Sequence, residues 1–420
     1  MKAVAILLVL FLIAKDASHV GDRFVMRGIA QGMSFTVGLG WIIVNLNRVQ
    51  WSKYRLVGMY LLVLLISAFF SMFQKAVFLQ LASLSSVVIF AIATAYSKNR
   101  PQIHNTMIVT TFLAYFVVCI ISLMLIKLAP HMAYQVGNIA GGRRFAGLFG
   151  RPAMMGAASG ILLGISMFYK FHKSKPVYIL RFIAGLVAFI CLTLSGARTF
   201  LVAMIISITI TAYRKYGNMS RWILITCFIA FVIYIFLEIN QFKISEETRE
   251  TTLRYDNIST LTGRAQIWEA TIRALPQSPL VGFGFGVSGD ALMKIGINTN
   301  YFSNLQDSLI KSNPTLHNGY VQAIGDSGLL GGVLYICIVL GSCLAYWHHQ
   351  IFKIYTAEFC LVIFLSVANF AESLIFKAST WQSSLFWYLA VFGFSFRGIR
   401  KKTNYPAFQI IHKSKGKPVA

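Results

Sequence analysis

Apolar residues in this chain run in long blocks rather than alternating singly with polar ones. Blocks near the roughly 17 to 25 residues needed to cross a hydrocarbon core stand at 24–46, 55–73, 76–96, 105–128, 153–171, 177–194, 221–239, 328–347, 354–376 and 381–396. Two shorter blocks, 3–14 and 199–213, bring the predicted number of transmembrane helices to about 12. The first is closed by Lys15-Asp16 with no small-residue cleavage site after it, so it is read as a span rather than as a signal-peptide core. The pattern therefore predicts an all-α polytopic membrane protein: an N-terminal bundle over 1–240, one large polar loop over 241–318, further membrane helices over 319–396 and a tail over 397–420.

A connection as long as 241–318 is expected to carry function rather than merely to join two helices. Within it, residues 261–275 have helical periodicity, with Ile267, Trp268, Thr271, Ile272 and Leu275 on one face, and Pro276 ends the run. Next comes Gly282-Phe283-Gly284-Phe285-Gly286. No predicted strand precedes it, so a nucleotide-binding loop is not supported. His317-Asn318-Gly319-Tyr320 then closes the loop where the next span approaches.

Composition fits the membrane reading, at 57% hydrophobic, 14% aromatic and 12% charged, and excludes an ordinary soluble enzyme. The net charge of +25 could point to nucleic acid, but its distribution argues for topology instead. With both termini inside, the inner connections hold Lys2, Arg48, Lys53, Arg55, Lys98, Arg100, Lys170, Lys173, Lys175, Arg214, Lys215, Arg221 and Lys353, and the tail from Arg397 adds more. No acidic residue lies among them. Asp16, Asp22, Glu246, Glu247, Glu250, Asp256, Glu269, Asp290 and Asp307 all fall outside. The basic tail is thus an orientation signal, and no nucleic-acid partner is expected. All six cysteines lie within apolar blocks without a C-x-x-C, which suits packing better than disulfides or zinc. No internal repeat and no phosphate-binding P-loop is present.

The candidate chemistry is outward. His317 is the one histidine of the large loop, and an imidazole titrates near neutrality, as a general base should. The competing reading is a helix cap or interfacial anchor. Arg143, Arg144, Arg151 and Arg198 stand at outer membrane ends, the wrong side for positive-inside anchors, and Arg264 opens the loop helix. Guanidinium groups match diphosphate oxygens in pairs, so binding an anion would account for them. No D-x-D or adjacent acidic pair occurs in an outward segment and His317 has no histidine or acidic partner at helical spacing, so no metal is expected. Glu358 and Glu372, deep in the later spans, keep open a different class, a transporter or flippase whose acidic residues line a path.

Gly263-Arg264 with Trp268, Pro279-x-x-Gly282-x-Gly284, His317-Asn318 and Gly325-x-x-Gly328 follow one another in an order that resembles the bacterial O-antigen ligase and polymerase superfamily. Arg144-x-x-Gly147 and Leu194-Ser195-x-x-Arg198 are similar to its shorter upstream patterns, although Arg151-Pro152-Ala153 stands where relatives often carry Asn. The resemblance implies a GT-C-type glycosyltransferase of the bacterial inner membrane that works at the periplasmic face without metal or other cofactor. It implies an undecaprenyl diphosphate-linked glycan as donor, and a lipid A core sugar, a growing polysaccharide or a protein hydroxyl as acceptor. His317 would be the base of an inverting transfer. Arg198 and Arg264, with Arg144 secondary, would hold the diphosphate, and Asn318, Arg143 and Arg151 would be lesser contacts.

Overall fold

Apolar surface on every side of a helix is stable only where lipid replaces water, because an α-helix satisfies its own backbone polar groups. The computed structural model shows such helices, with Phe182 74% and Leu344 69% exposed on the outside of the bundle. It describes residues 1–17, 23–136, 143–171, 174–216, 264–294, 316–375 and 380–396. The expected span 221–239, most of the large loop and the basic tail lie outside these residues. Five described helices are long and apolar enough to cross a membrane: Trp51–Phe70, Gln74–Tyr96, Arg100–Leu128, Lys175–Leu194 and Gly319–Trp347. Pro152–Phe168 and Thr356–Ala368 are equally apolar but shorter.

The bundle has two ends, and contacts sort the connections between them. At one end the Trp381 amide donates to Asp16 Oδ2 (2.8 Å), and Ser71 Oγ donates to the Phe283 carbonyl (2.8 Å). At the other, Lys53 Nζ donates to the Ser395 carbonyl (2.6 Å), Arg214 to the Trp347 carbonyl (2.6 Å) and Lys170 to the Lys353 carbonyl. Every one of these contacts joins two segments that the charge pattern assigned to the same side.

Small residues let three helices close up in the middle. Gly160 and Gly164 of Pro152–Phe168 receive Phe364 and Leu361 of Thr356–Ala368, so these two helices run antiparallel. Phe200 of Arg198–Tyr216 meets the same Phe364 ring at 6.2 Å, and Gly156 faces Ala197. Arg151, Arg198 and the turn after Ala368 are therefore at one end of the bundle.

Several details depart from the pattern-based reading. Helix Gly319–Trp347 begins at Gly319 rather than at 328 and breaks at Gly328, where φ is +66°. The expected span 354–376 holds a 13-residue helix that ends at Ala368, followed by turns. Residues Tyr134–Val136 and Arg143–Phe145 form a small antiparallel hairpin that hydrophobic blocks could not foretell.

Candidate active site

His317 stands on a backbone held from both sides. The residue before it, Leu316, gives its amide to Gln322 Oε1 (3.0 Å) and takes the Trp268 indole N–H on its carbonyl (2.8 Å). The residue after it, Asn318, caps helix Gly319–Trp347, its Oδ1 accepting from the Tyr320 and Val321 amides at 2.9 and 3.1 Å. Gly319 donates to the Asn369 carbonyl (2.8 Å), in a contact so close that a Cβ there would strike the Asn369 side chain. Between these fixed neighbours His317 has φ +51°, a left-handed conformation that a non-glycine residue keeps only when its surroundings enforce it.

Its side chain is turned toward Glu372, with Nδ1 3.4 Å from Oε2 and the two side chains 42% and 21% exposed. A carboxylate facing Nδ1 favours the tautomer that carries its proton there, which leaves the Nε2 lone pair free to accept another. Such contacts are often long without substrate and shorten when it binds.

Beneath this pair lies the glycine-aromatic run. Gly282, Gly284 and Gly286 all have positive φ. A Cβ on Gly282 would lie 2.4 Å from the Gly328 amide nitrogen, so the loop lies directly on the break in the helix. Phe283 and Gly284 donate to the carbonyls of Gly325 and Asp326 (2.9 and 3.0 Å), and Leu329 donates back to that of Pro279 (2.8 Å). The buried Asp326 carboxylate accepts from the Gly286 amide (2.6 Å) and the Ser288 amide (2.8 Å). The G-x-G-x-G pattern is therefore a structural clasp whose backbone reaches the carbonyls freed by the kink.

Helix Arg264–Ala274 packs over the same corner through buried Ile267, Ala270, Thr271 and Ala274. Ile272, expected on its inner face, is 62% exposed, because the helix closes on Gly325 through Thr271. The backbone puts Arg264 about one turn before Trp268, while the side chains of Arg264 and Arg143 lie outside the described residues.

The remaining arginines are at the same end but are held differently. Arg144 is on the hairpin opposite Gln135, Arg151 directly precedes Pro152, and Arg198 begins its helix after the tight turn at Gly196. All three are exposed. The hairpin leads into a short helical turn, Gly147–Phe149, pinned where the Leu148 amide donates to Ser122 Oγ (3.1 Å).

Glu372 was the site residue that sequence reasoning placed in a different role. It lies 55 residues from His317, and only folding shows them adjacent. Glu358, its companion in the transporter alternative, is sealed in the core near the opposite end, 2.8 Å from His104 Nε2, while His104 Nδ1 meets the Tyr388 hydroxyl at 3.1 Å. No group of three or more His, Cys, Asp or Glu side chains that could hold a metal gathers among the described residues.

Comparison with known proteins adds one match: residues 182–336 fit the family model described as O-antigen ligase. That segment takes in Arg198, Arg264, the glycine clasp, His317 and Gly328, and stops short of Glu372. No curated protein matches the chain.

Proposed function

With membership of the O-antigen ligase and polymerase superfamily as premise, supported by the match over residues 182–336, we propose that this chain transfers a glycan from undecaprenyl diphosphate to an acceptor sugar hydroxyl. The acceptor is a lipid A core or a growing polysaccharide. The chain sits in the bacterial inner membrane with both termini cytoplasmic and the His317 corner in the periplasm. A thiol introduced at Ser303 should then react with an impermeant reagent in cells whose outer membrane is permeabilised; protection would reverse the orientation.

The observation that carries the reading is the contact of His317 Nδ1 with Glu372 at the end of the bundle where the Arg198 helix begins. His317 Nε2 takes the proton of the acceptor hydroxyl as its oxygen attacks the anomeric carbon. Glu372 keeps the proton on Nδ1 and stabilises the imidazolium that forms. The bond from the anomeric carbon to the diphosphate oxygen breaks on the opposite face, so the configuration inverts. Arg198 and Arg264 take up the negative charge of the leaving diphosphate, helped by Arg144, with Arg143 and Arg151 as outer contacts. Asn318 spends its side-chain oxygen on the helix cap, so its lesser contact with the substrate comes from the side-chain amide N–H groups. This chemistry needs no metal or other cofactor from the residues named.

A transporter would need Glu358 to line a polar path; its burial against His104 argues for packing instead. Deletion of the gene distinguishes the acceptors. Loss of capped lipopolysaccharide with free polymer still made indicates a ligase, loss of the polymer indicates a polymerase, and unchanged glycans would remove the proposal.

A further inference from the structure

Gln322 is fully buried and every polar atom of its amide is used. Its Oε1 accepts from the Leu316 amide (3.0 Å), directly before His317, and from Ser373 Oγ (3.4 Å), directly after Glu372. Its Nε2 lies 3.1 Å from each oxygen of Asp326 and 3.0 Å from Ser288 Oγ. Asp326 in turn fixes the Gly286 and Ser288 amides. One side chain thus touches the backbone step into His317, the segment carrying Glu372 and, through Asp326, the glycine clasp.

We propose that Gln322 is a positioning residue for transfer, holding His317 and Glu372 in register with each other and with the loop 282–288. The inference rests on His317 being the base. The physical argument is one of linkage between segments far apart in the chain. His317 follows helix Arg264–Ala274 and precedes helix Gly319–Trp347, whereas Glu372 belongs to the turn after Thr356–Ala368. The Gly319 amide ties the two backbones at the Asn369 carbonyl (2.8 Å), but a 3.4 Å contact between partly exposed side chains does not set how the step before His317 and the residue after Glu372 sit relative to each other. A buried amide whose oxygen takes the Leu316 amide out of water and also meets the half-buried Ser373 hydroxyl, with its nitrogen fixed by a carboxylate, supplies that register, because losing its buried bonds leaves polar groups unsatisfied.

The test uses the full chain in proteoliposomes, with a radiolabelled undecaprenyl diphosphate-linked oligosaccharide as donor, and that donor and rough lipopolysaccharide both present as acceptors. Gln322→Met keeps the volume and removes all the bonds. It should lower kcat about 10- to 100-fold, the scale expected when a catalytic group is misplaced by about 1 Å, while KM for the donor changes less than about threefold. Gln322→Asn, which keeps the amide but shortens its reach, should fall between wild type and Met, and it replaces Met if that variant does not accumulate. The decisive readout is a cycle with His317→Ala. A residue acting through His317 costs nothing further once the imidazole is gone, whereas a merely structural residue costs the same in both backgrounds. Equal losses in the two backgrounds, or a wild-type kcat for Gln322→Met beside an inactive His317→Ala, overturn the inference alone. Near wild-type transfer by His317→Ala overturns the base reading, and the inference with it.

Discussion

The two halves of the candidate site are built in opposite ways. Around His317 every neighbour is tied down: Leu316 at both its amide and carbonyl, Asn318 by its cap, Gly319 by Asn369, and the loop beneath by Asp326. Around Arg144, Arg151 and Arg198 only the backbone is fixed, by a hairpin, a proline-started helix and a glycine turn, while the side chains reach out exposed. A proton acceptor must meet one hydroxyl within hydrogen-bond distance, so its geometry is set in advance. A diphosphate carries several oxygens, and long guanidinium arms can close on it after it arrives. On the proposed reading, the contrast teaches that a residue meant to accept a proton and residues meant to grip an anion differ in how firmly their surroundings are held.

The largest expected effect comes from the rigid half. His317→Ala should reduce transfer by a factor on the order of 10² to 10⁴ with donor binding nearly intact; loss of donor binding along with turnover would move His317 to the binding half. On the flexible half, Arg198→Lys or Arg264→Lys keeps the charge and loses the fork. Each should cost about 10- to 100-fold, equivalent to one charge-assisted hydrogen bond of roughly 1.5 to 3 kcal/mol. Unchanged rates in both, measured at equal protein in the membrane, would take these arginines out of the site. Glu372→Gln should cost less, about 10-fold, because an amide oxygen can still accept from Nδ1 and only the charge facing the imidazolium is lost. A loss as deep as that of His317→Ala would make Glu372 a full partner. The smallest effect is none: activity should persist in excess EDTA. A loss restored by magnesium or manganese would bring Asp256, Asp290 and Asp307 forward as ligands.

The helices were legible wherever physics is local. Long apolar blocks predicted most of the described helices, and the run ending at Pro276 matches helix Arg264–Ala274 with its short helical turn after it. His317 was singled out because it is the one histidine of the large loop, stands where the loop meets the membrane and carries a side chain suited to a general base. Glu372, Gln322 and Asp326 were less legible for a single reason. Each sits in an apolar surrounding where a polar residue suggests either a membrane path or nothing, and its partners come from distant parts of the chain. The glycine-aromatic run was visible, but its meaning depends on the break at Gly328, which no periodicity reveals because residues on both sides of it are helical.

That break has a consequence for how this corner can vary. Residues 279–284 and 325–329 are joined through main-chain groups, amide to carbonyl in both directions, so most of the join is indifferent to which side chains the two segments carry. It is not indifferent to spacing. One residue added between Pro279 and Ser288 would move the Gly286 and Ser288 amides off the Asp326 carboxylate, and the disturbance would run through Gln322 to the step before His317. Substitutions should therefore be tolerated here at exposed loop positions such as Leu280, whereas the buried Phe283 and Phe285 and the spacing itself should tolerate neither truncation nor the insertion or deletion of a single residue.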